Sequence, residues 1–122
     1  LGHFDYVARY SPYSVKDILY KDFPDEIDAI LKYLSSNGKA LEVNTKTYSL
    51  HSNGHLQQLD ENILIRFKEL GGEMITLGSD AHSPLRIGEN FEKFWERIKC
   101  AGFKYLTYFK ERKPIFYNPQ DY

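Results

Sequence analysis

The segment Ile75-Thr76-Leu77-Gly78-Ser79-Asp80-Ala81-His82 ends an apolar run with a carboxylate and an imidazole one residue apart. On extended backbone, residues two apart project to the same side. Asp80 and His82 would then offer oxygen and nitrogen ligands to one divalent metal, or to two adjacent ones. The plainer alternative is an aspartate that forms the next turn and a histidine at the surface. His3 and Asp5 repeat the spacing near the start of the chain, after Gly2. Alone, that pair reads equally as a core histidine whose second nitrogen Asp5 holds. The coincidence of two such pairs at equivalent positions favours metal.

Arg9 carries the planar fork of donors that suits phosphate oxygens. Among Tyr6, Tyr10 and Tyr13 it could instead stack as a cation on a ring. Glu42 and Asn44 share one face of their segment, and a glutamate turned inward must orient a ligand or meet a cation; the alternative is an edge strand with Glu42 in solvent. His51 and His55 are interrupted by Asn53-Gly54, which breaks any helix that would align them, so they read as a loop at the rim. Cys100 reads as structural.

These residues need elements to hold them. From Pro24, the positions Ile27, Ile30, Leu31 and Leu34 give the stripe of an amphipathic helix, stopped by Asn37-Gly38. Ala40 to Thr45 follows as a strand, with Leu41 and Val43 on one side. The order recurs twice. Glu61 to Leu70 is a helix with Ile63, Leu64, Phe67 and Leu70 at helical spacing, followed by strand Met74 to Leu77. Gly88 to Ala101 is a helix carrying Phe91, Phe94, Trp95 and Ile98, followed by strand Tyr105 to Phe109. Helices and strands alternating in this way predict an α/β fold with a parallel sheet. Such sheets carry their chemistry at the carboxyl ends of the strands. His3 and Asp5, then Glu42, Asn44 and Lys46, then Ser79, Asp80 and His82 fall at three such ends.

The 122 residues include 16 Lys+Arg against 17 Asp+Glu, a net charge of -1, and one cysteine. A balance this even lacks the basic excess that phosphate-backbone binding requires, so nucleic acid is not the expected partner. One cysteine forms no internal disulfide and fits a cytoplasmic protein. The apolar runs are too short to span a bilayer, and no membrane partner is expected. The length suits one domain.

Taken in order, Gly2-His3-Phe4-Asp5-Tyr6-Val7-Ala8-Arg9-Tyr10, Ala40-Leu41-Glu42-Val43-Asn44-Thr45 and Leu77-Gly78-Ser79-Asp80-Ala81-His82-Ser83-Pro84 resemble the later motifs of the PHP (polymerase and histidinol phosphatase) superfamily. They are most similar to its histidinol-phosphate phosphatase branch, over most of the chain to about Arg97. The resemblance implies a distorted (β/α)7 TIM-like barrel with a trinuclear site of zinc, manganese or iron that hydrolyses phosphomonoesters. It also implies the reaction, histidinol phosphate to histidinol and phosphate in histidine biosynthesis. His3, Asp80 and His82 would be metal ligands, with Asp80 and His82 catalytic and Arg9 on the substrate phosphate. Asp5, Glu42 and Asn44 would line the pocket.

The family's first motifs, a His-x-His pair, a following glutamate and further histidines, have no counterpart here. Together with a first residue that is not methionine, this gives the expectation that residues 1–122 are the C-terminal half of the barrel. Its partner would be the missing N-terminal half, and the half alone would be inactive. Two other readings stand beside it: a passive half-barrel remnant, and a PHP phosphoesterase with another phosphorylated substrate, since DNA-polymerase PHP domains share the Asp80-Ala81-His82 type of motif. The even charge weighs against a nucleic-acid substrate.

Overall fold

The computed structural model describes residues 1–13, 17–47 and 58–121, and of Arg9 and Thr47 the backbone alone. Helix α1 (Pro24–Ser36) begins on a proline, whose missing N–H would have no partner in a first turn, and Asp25 and Glu26 face the positive end of its dipole. Ile27, Leu31 and Leu34 are buried, while Ile30 stays 39% exposed at the edge of the stripe. Gly38, at φ +58°, takes the left-handed conformation that ends the helix. Helix α2 (Glu61–Glu69) is capped by Asp60, which accepts from the Asn62 N–H at 3.1 Å. Helix α3 (Phe91–Cys100) buries Phe94, Trp95 and Ile98. It starts three residues later than its periodicity suggests, because Gly88 (φ 75°) and Asn90 (φ 65°) are left-handed and cannot continue into a right-handed helix. Phe91 is accordingly half-buried, and Cys100 at the helix end is exposed.

Strands β1 (Leu41–Asn44) and β2 (Ile75–Gly78) pair in parallel, Leu41 opposite Ile75 and Asn44 opposite Gly78. The chain's first residues run along the other side of β1. The Leu1 amino group donates to the Ala40 carbonyl at 2.6 Å, and the Glu42 N–H donates to the Leu1 carbonyl at 2.8 Å. The expected α/β class with parallel strands is present. The third strand differs. β3 (Leu106–Lys110) lies beside β2 but forms its ladder with β4 (Lys113–Tyr117) as an antiparallel hairpin. Its two-residue turn has Glu111 at φ 52° and Arg112 at φ 64°, the type I′ geometry normally signalled by Asn-Gly. Glu-Arg sends no such signal, and Pro114 inside β4 reads against a strand because it cannot donate to a ladder.

Leu41, Val43 and Ile75 on the inner face of the parallel pair join Leu31, Ile63, Phe67, Phe94, Ile98 and Leu106 in one contiguous core. Outside it, Asp28 ties α1 to α2. Arg66 donates from Nε to Asp28 Oδ1 at 2.8 Å and from Nη2 to Oδ2 at 2.6 Å, and the Tyr20 hydroxyl donates to Oδ1 at 3.0 Å. The Arg66 hydrogen bonds, more than any other influence, hold the Asp28 carboxyl well below the usual carboxylate range. A carboxylate depressed in the fold stabilises it above the unfolded pKa of about 3.9, and that contribution is lost as pH falls through the folded value. Asp28→Asn is therefore expected to lower the urea midpoint at pH 7, with the gap from wild type closing as the pH is taken below about 4. A gap that stays constant with pH would mean that the ion pair contributes nothing.

Candidate functional site

His3, Tyr6, Lys46, Asp80 and His82 line one cleft of about 350 Å3 at the carboxyl ends of β1 and β2. Each reaches it by a specific local device. His3 follows the stretch alongside β1, at φ 50°, with its N–H donating to Glu42 Oε2 at 2.8 Å. Asp80 leaves β2 at φ 46°. Left-handed backbone at non-glycine residues costs about 1–2 kcal/mol, is tolerated best by Asn, Asp and His, and gathers where side chains are held for function. The extended backbone that would send Asp80 and His82 to one side by alternation is thus absent. The turn at Asp80 achieves the convergence instead.

Lys46 sits in the 3-10 turn Thr45–Thr47 just past β1. Its Nζ is 3.0 Å from Asp80 Oδ2 and 3.0 Å from His82 Nδ1. The Lys46 hydrogen bond is the largest influence holding the Asp80 carboxyl below its ordinary value, with further help from the charges of Lys46, His82 and His3 against the cost of burial. His82 Nδ1 is also 2.8 Å from the Asp80 carbonyl oxygen, so its tautomer decides whether it donates there or accepts from Lys46.

The other candidates surround this group. Asn44 is buried, with its Nδ2 3.2 Å from His3 Nδ1 and its Oδ1 accepting from the Lys46 N–H at 2.9 Å. Glu42 lies across two glycines: a Cβ at Gly78 would stand 2.3 Å from its Oε1, and one at Gly2 3.1 Å from its Oε2. Only glycine leaves that carboxylate room to reach the His3 N–H. Glu42 belongs to a neighbouring cavity with Leu1, Thr76 and Arg112 rather than to the His82 cleft. Asp5 is buried within the turn that follows His3 and does not line the cleft. The Arg9 backbone lies in the 3-10 turn Tyr6–Tyr10 beside the cleft, but its side chain is outside the described residues, as are His51 and His55. Tyr6 packs edge-on to His3 with ring centres 5.5 Å apart.

Lys46 and Tyr6 are the two cleft residues to which the motifs assign no role. For Lys46 the available signal is its position, two residues past Asn44 at the end of β1.

Among the described residues, no three His, Cys, Asp or Glu side chains gather closely enough to hold a metal ion by themselves. The donor chemistry still suits a divalent cation. Two imidazoles and a carboxylate face one cleft, and a positive charge, the Lys46 ammonium, already stands in contact with two of them. The fit is that of part of a ligand set. No helix among the described residues is long and apolar enough to cross a membrane.

No protein-family model matches the chain. The histidinol-phosphatase of Lactococcus lactis subsp. lactis is 42% identical over 112 residues, which are 92% of this chain and 40% of that protein. A protein named probable histidinol-phosphatase from Thermotoga maritima is 37% identical over 107 residues, 88% of this chain and 42% of its own length. Among solved structures, the L. lactis histidinol phosphate phosphatase complexed with zinc, L-histidinol and phosphate superposes with a TM-score of 0.71 at 37% identity, covering 93% of this chain and 42% of that one. The chain therefore spans about two-fifths of the length of the relatives it matches.

Proposed function

From a chain that is a relative of the histidinol-phosphatases over nearly all its length, we propose that it forms one part of a metal-dependent phosphomonoester hydrolase. Its reaction is the conversion of histidinol phosphate to histidinol and phosphate. The observation that carries this reading is the meeting of His3, Asp80 and His82 in one cleft, in a chain similar to an enzyme solved with zinc, histidinol and phosphate. Residues 1–122 then form the C-terminal half of a PHP barrel.

In this reading His3, Asp80 and His82 would hold divalent ions, a trinuclear set completed by groups from the rest of the barrel. Such ions, when bound, neutralise charge on phosphate oxygens and acidify water. The chain's own residues do the positioning. Glu42 holds the His3 main chain through its N–H, and Asn44 contacts both the His3 ring and the Lys46 backbone, which ties the N-terminal turn to the β1 end. Arg9, on the turn beside the cleft, would anchor the phosphate with its paired donors. Asp5 is buried next to the His3 segment.

A complementary part is supported by the apolar surface left on this side of the chain. A second cavity of about 910 Å3 is lined by Val7, Ala8, Phe23, Ile27 and Ile30 among others, and Val7 is 68% and Tyr13 74% exposed. An apolar area of this kind is what a barrel neighbour would cover. The experiment is to assay histidinol phosphate hydrolysis with added Zn2+ or Mn2+, for the chain alone and mixed with the portion of the L. lactis enzyme that it does not match. Phosphate release only from the mixture is expected. Stable association of the two parts with no release would instead favour a passive remnant, and release from other phosphomonoesters at equal rates would overturn the substrate.

A further inference from the structure

Lys46, like Tyr6, is a cleft residue to which the proposed reaction assigns no task, and its ammonium stands between Asp80 and His82. Its backbone is tightly placed: the Lys46 N–H donates to Asn44 Oδ1 at 2.9 Å, and buried Thr45 next to it donates from Oγ1 to the Glu89 carbonyl at 2.6 Å. From that fixed root the side chain spans the cleft and brings Nζ to 3.0 Å from both Asp80 Oδ2 and His82 Nδ1.

We propose that the Lys46 ammonium and a divalent cation are alternative occupants of the position between Asp80 and His82, so that Lys46 sets how strongly this cleft takes up metal. The inference rests on reading Asp80 and His82 as metal ligands. The Asp80 oxygen that accepts from Lys46, Oδ2, is one of the two through which the carboxylate would ligate a metal, at about 2.0–2.2 Å for zinc. An ammonium at hydrogen-bond distance from the same oxygen would stand within a few ångströms of that ion, and two like charges so close repel strongly in a partly enclosed site. Lys46 keeps a flexible four-carbon stem and its side chain is 27% exposed, so it can swing aside. It is therefore a competitor rather than a plug. Without the ion, it supplies the positive charge that keeps the Asp80 carboxylate compensated.

Zinc chloride alone is the probe, titrated calorimetrically against a competing chelator into the 122-residue chain, with far-ultraviolet circular dichroism as the check on folding. Lys46→Met, which keeps the length and removes the charge, is expected to bind zinc about 10–100-fold more tightly than wild type, the range over which groups next to ligands tune metal sites. Lys46→Arg, which keeps the charge, is expected to show no such gain. Adding Asp80→Asn to Lys46→Met should abolish the gain. Zinc binding that is equal in wild type and Lys46→Met, yet falls with Asp80→Asn, overturns the competition while leaving the ligand reading intact. Zinc binding indifferent to Asp80→Asn in both backgrounds removes the ligand reading, and the competition with it. If Lys46→Met does not fold, Lys46→Gln makes the same comparison.

Discussion

If the chain forms part of the proposed hydrolase, replacing His82 by alanine is expected to cut histidinol phosphate hydrolysis by the chain mixed with its complement by about a thousandfold, because metal charge stabilisation of several kcal/mol is at stake and each 1.36 kcal/mol is tenfold in rate. The ring projects into the cleft from the segment after β2, with Nδ1 within hydrogen-bond distance of both Lys46 Nζ and the Asp80 carbonyl. It is exposed and outside the core cluster, so its removal should leave the urea midpoint nearly unchanged. The informative measurement is thus a pair: kcat with metal content on one side, stability on the other. A variant that retains both rate and metal content would refute the assignment of His82. A variant that lost activity only because it unfolded would show a lowered midpoint, and the two results are separable.

Phe67→Ala should give the largest loss of stability. The Phe67 side chain is fully buried on α2, stacked on Phe103 with ring centres 6.3 Å apart and planes at 28°. A Cβ added at Gly72 would come within 2.4 Å of its ring, which shows how closely the following turn closes over it. Truncating a buried phenylalanine costs about 3–5 kcal/mol, through lost transfer energy and the cavity left behind. Against a total stability of about 5–15 kcal/mol, that is a large share. Chemical denaturation of the chain measures it. Phe67→Leu should recover much of the loss, since it leaves a smaller cavity than alanine does. A loss under about 1 kcal/mol for Phe67→Ala would mean that the site collapses freely and that the α2 to Phe103 contact is not a centre of the core.

How far these features were legible before the structure differs by element. The stripes of α1 and α2 are readable because apolar side chains at helical spacing have one economical fate, burial along one face, and Ile27, Leu31, Ile63 and Phe67 meet it. The parallel pairing of β1 and β2 follows from the helix between them, which leaves a right-handed crossover as the available connection. The hairpin of β3 and β4 was hidden. Its turn depends on left-handed backbone at Glu111 and Arg112, residues that do not advertise it, and Pro114 argues against the strand it occupies. The late start of α3 was hidden for a related reason, since Phe91 continues the apolar period while Gly88 and Asn90 break the backbone.

The same division holds at the site. Residue types at short range, His3, Asp80, His82, Glu42 and Asn44, were determined by the sequence alone, because ligand chemistry is a property of the side chain and a spacing of two is local. The use of those residues was decided by tertiary structure. Lys46 and Asp80 are 34 residues apart, and His3 and Asn44 are 41 apart. No periodicity links such positions. Only the parallel pairing of β1 with β2, and the left-handed turns at His3 and Asp80, bring them to one cleft. Whether a lysine two residues beyond Asn44 points to solvent or sets its ammonium between a carboxylate and an imidazole depends on where separate strand ends finish in space, and that is information only the folded chain contains.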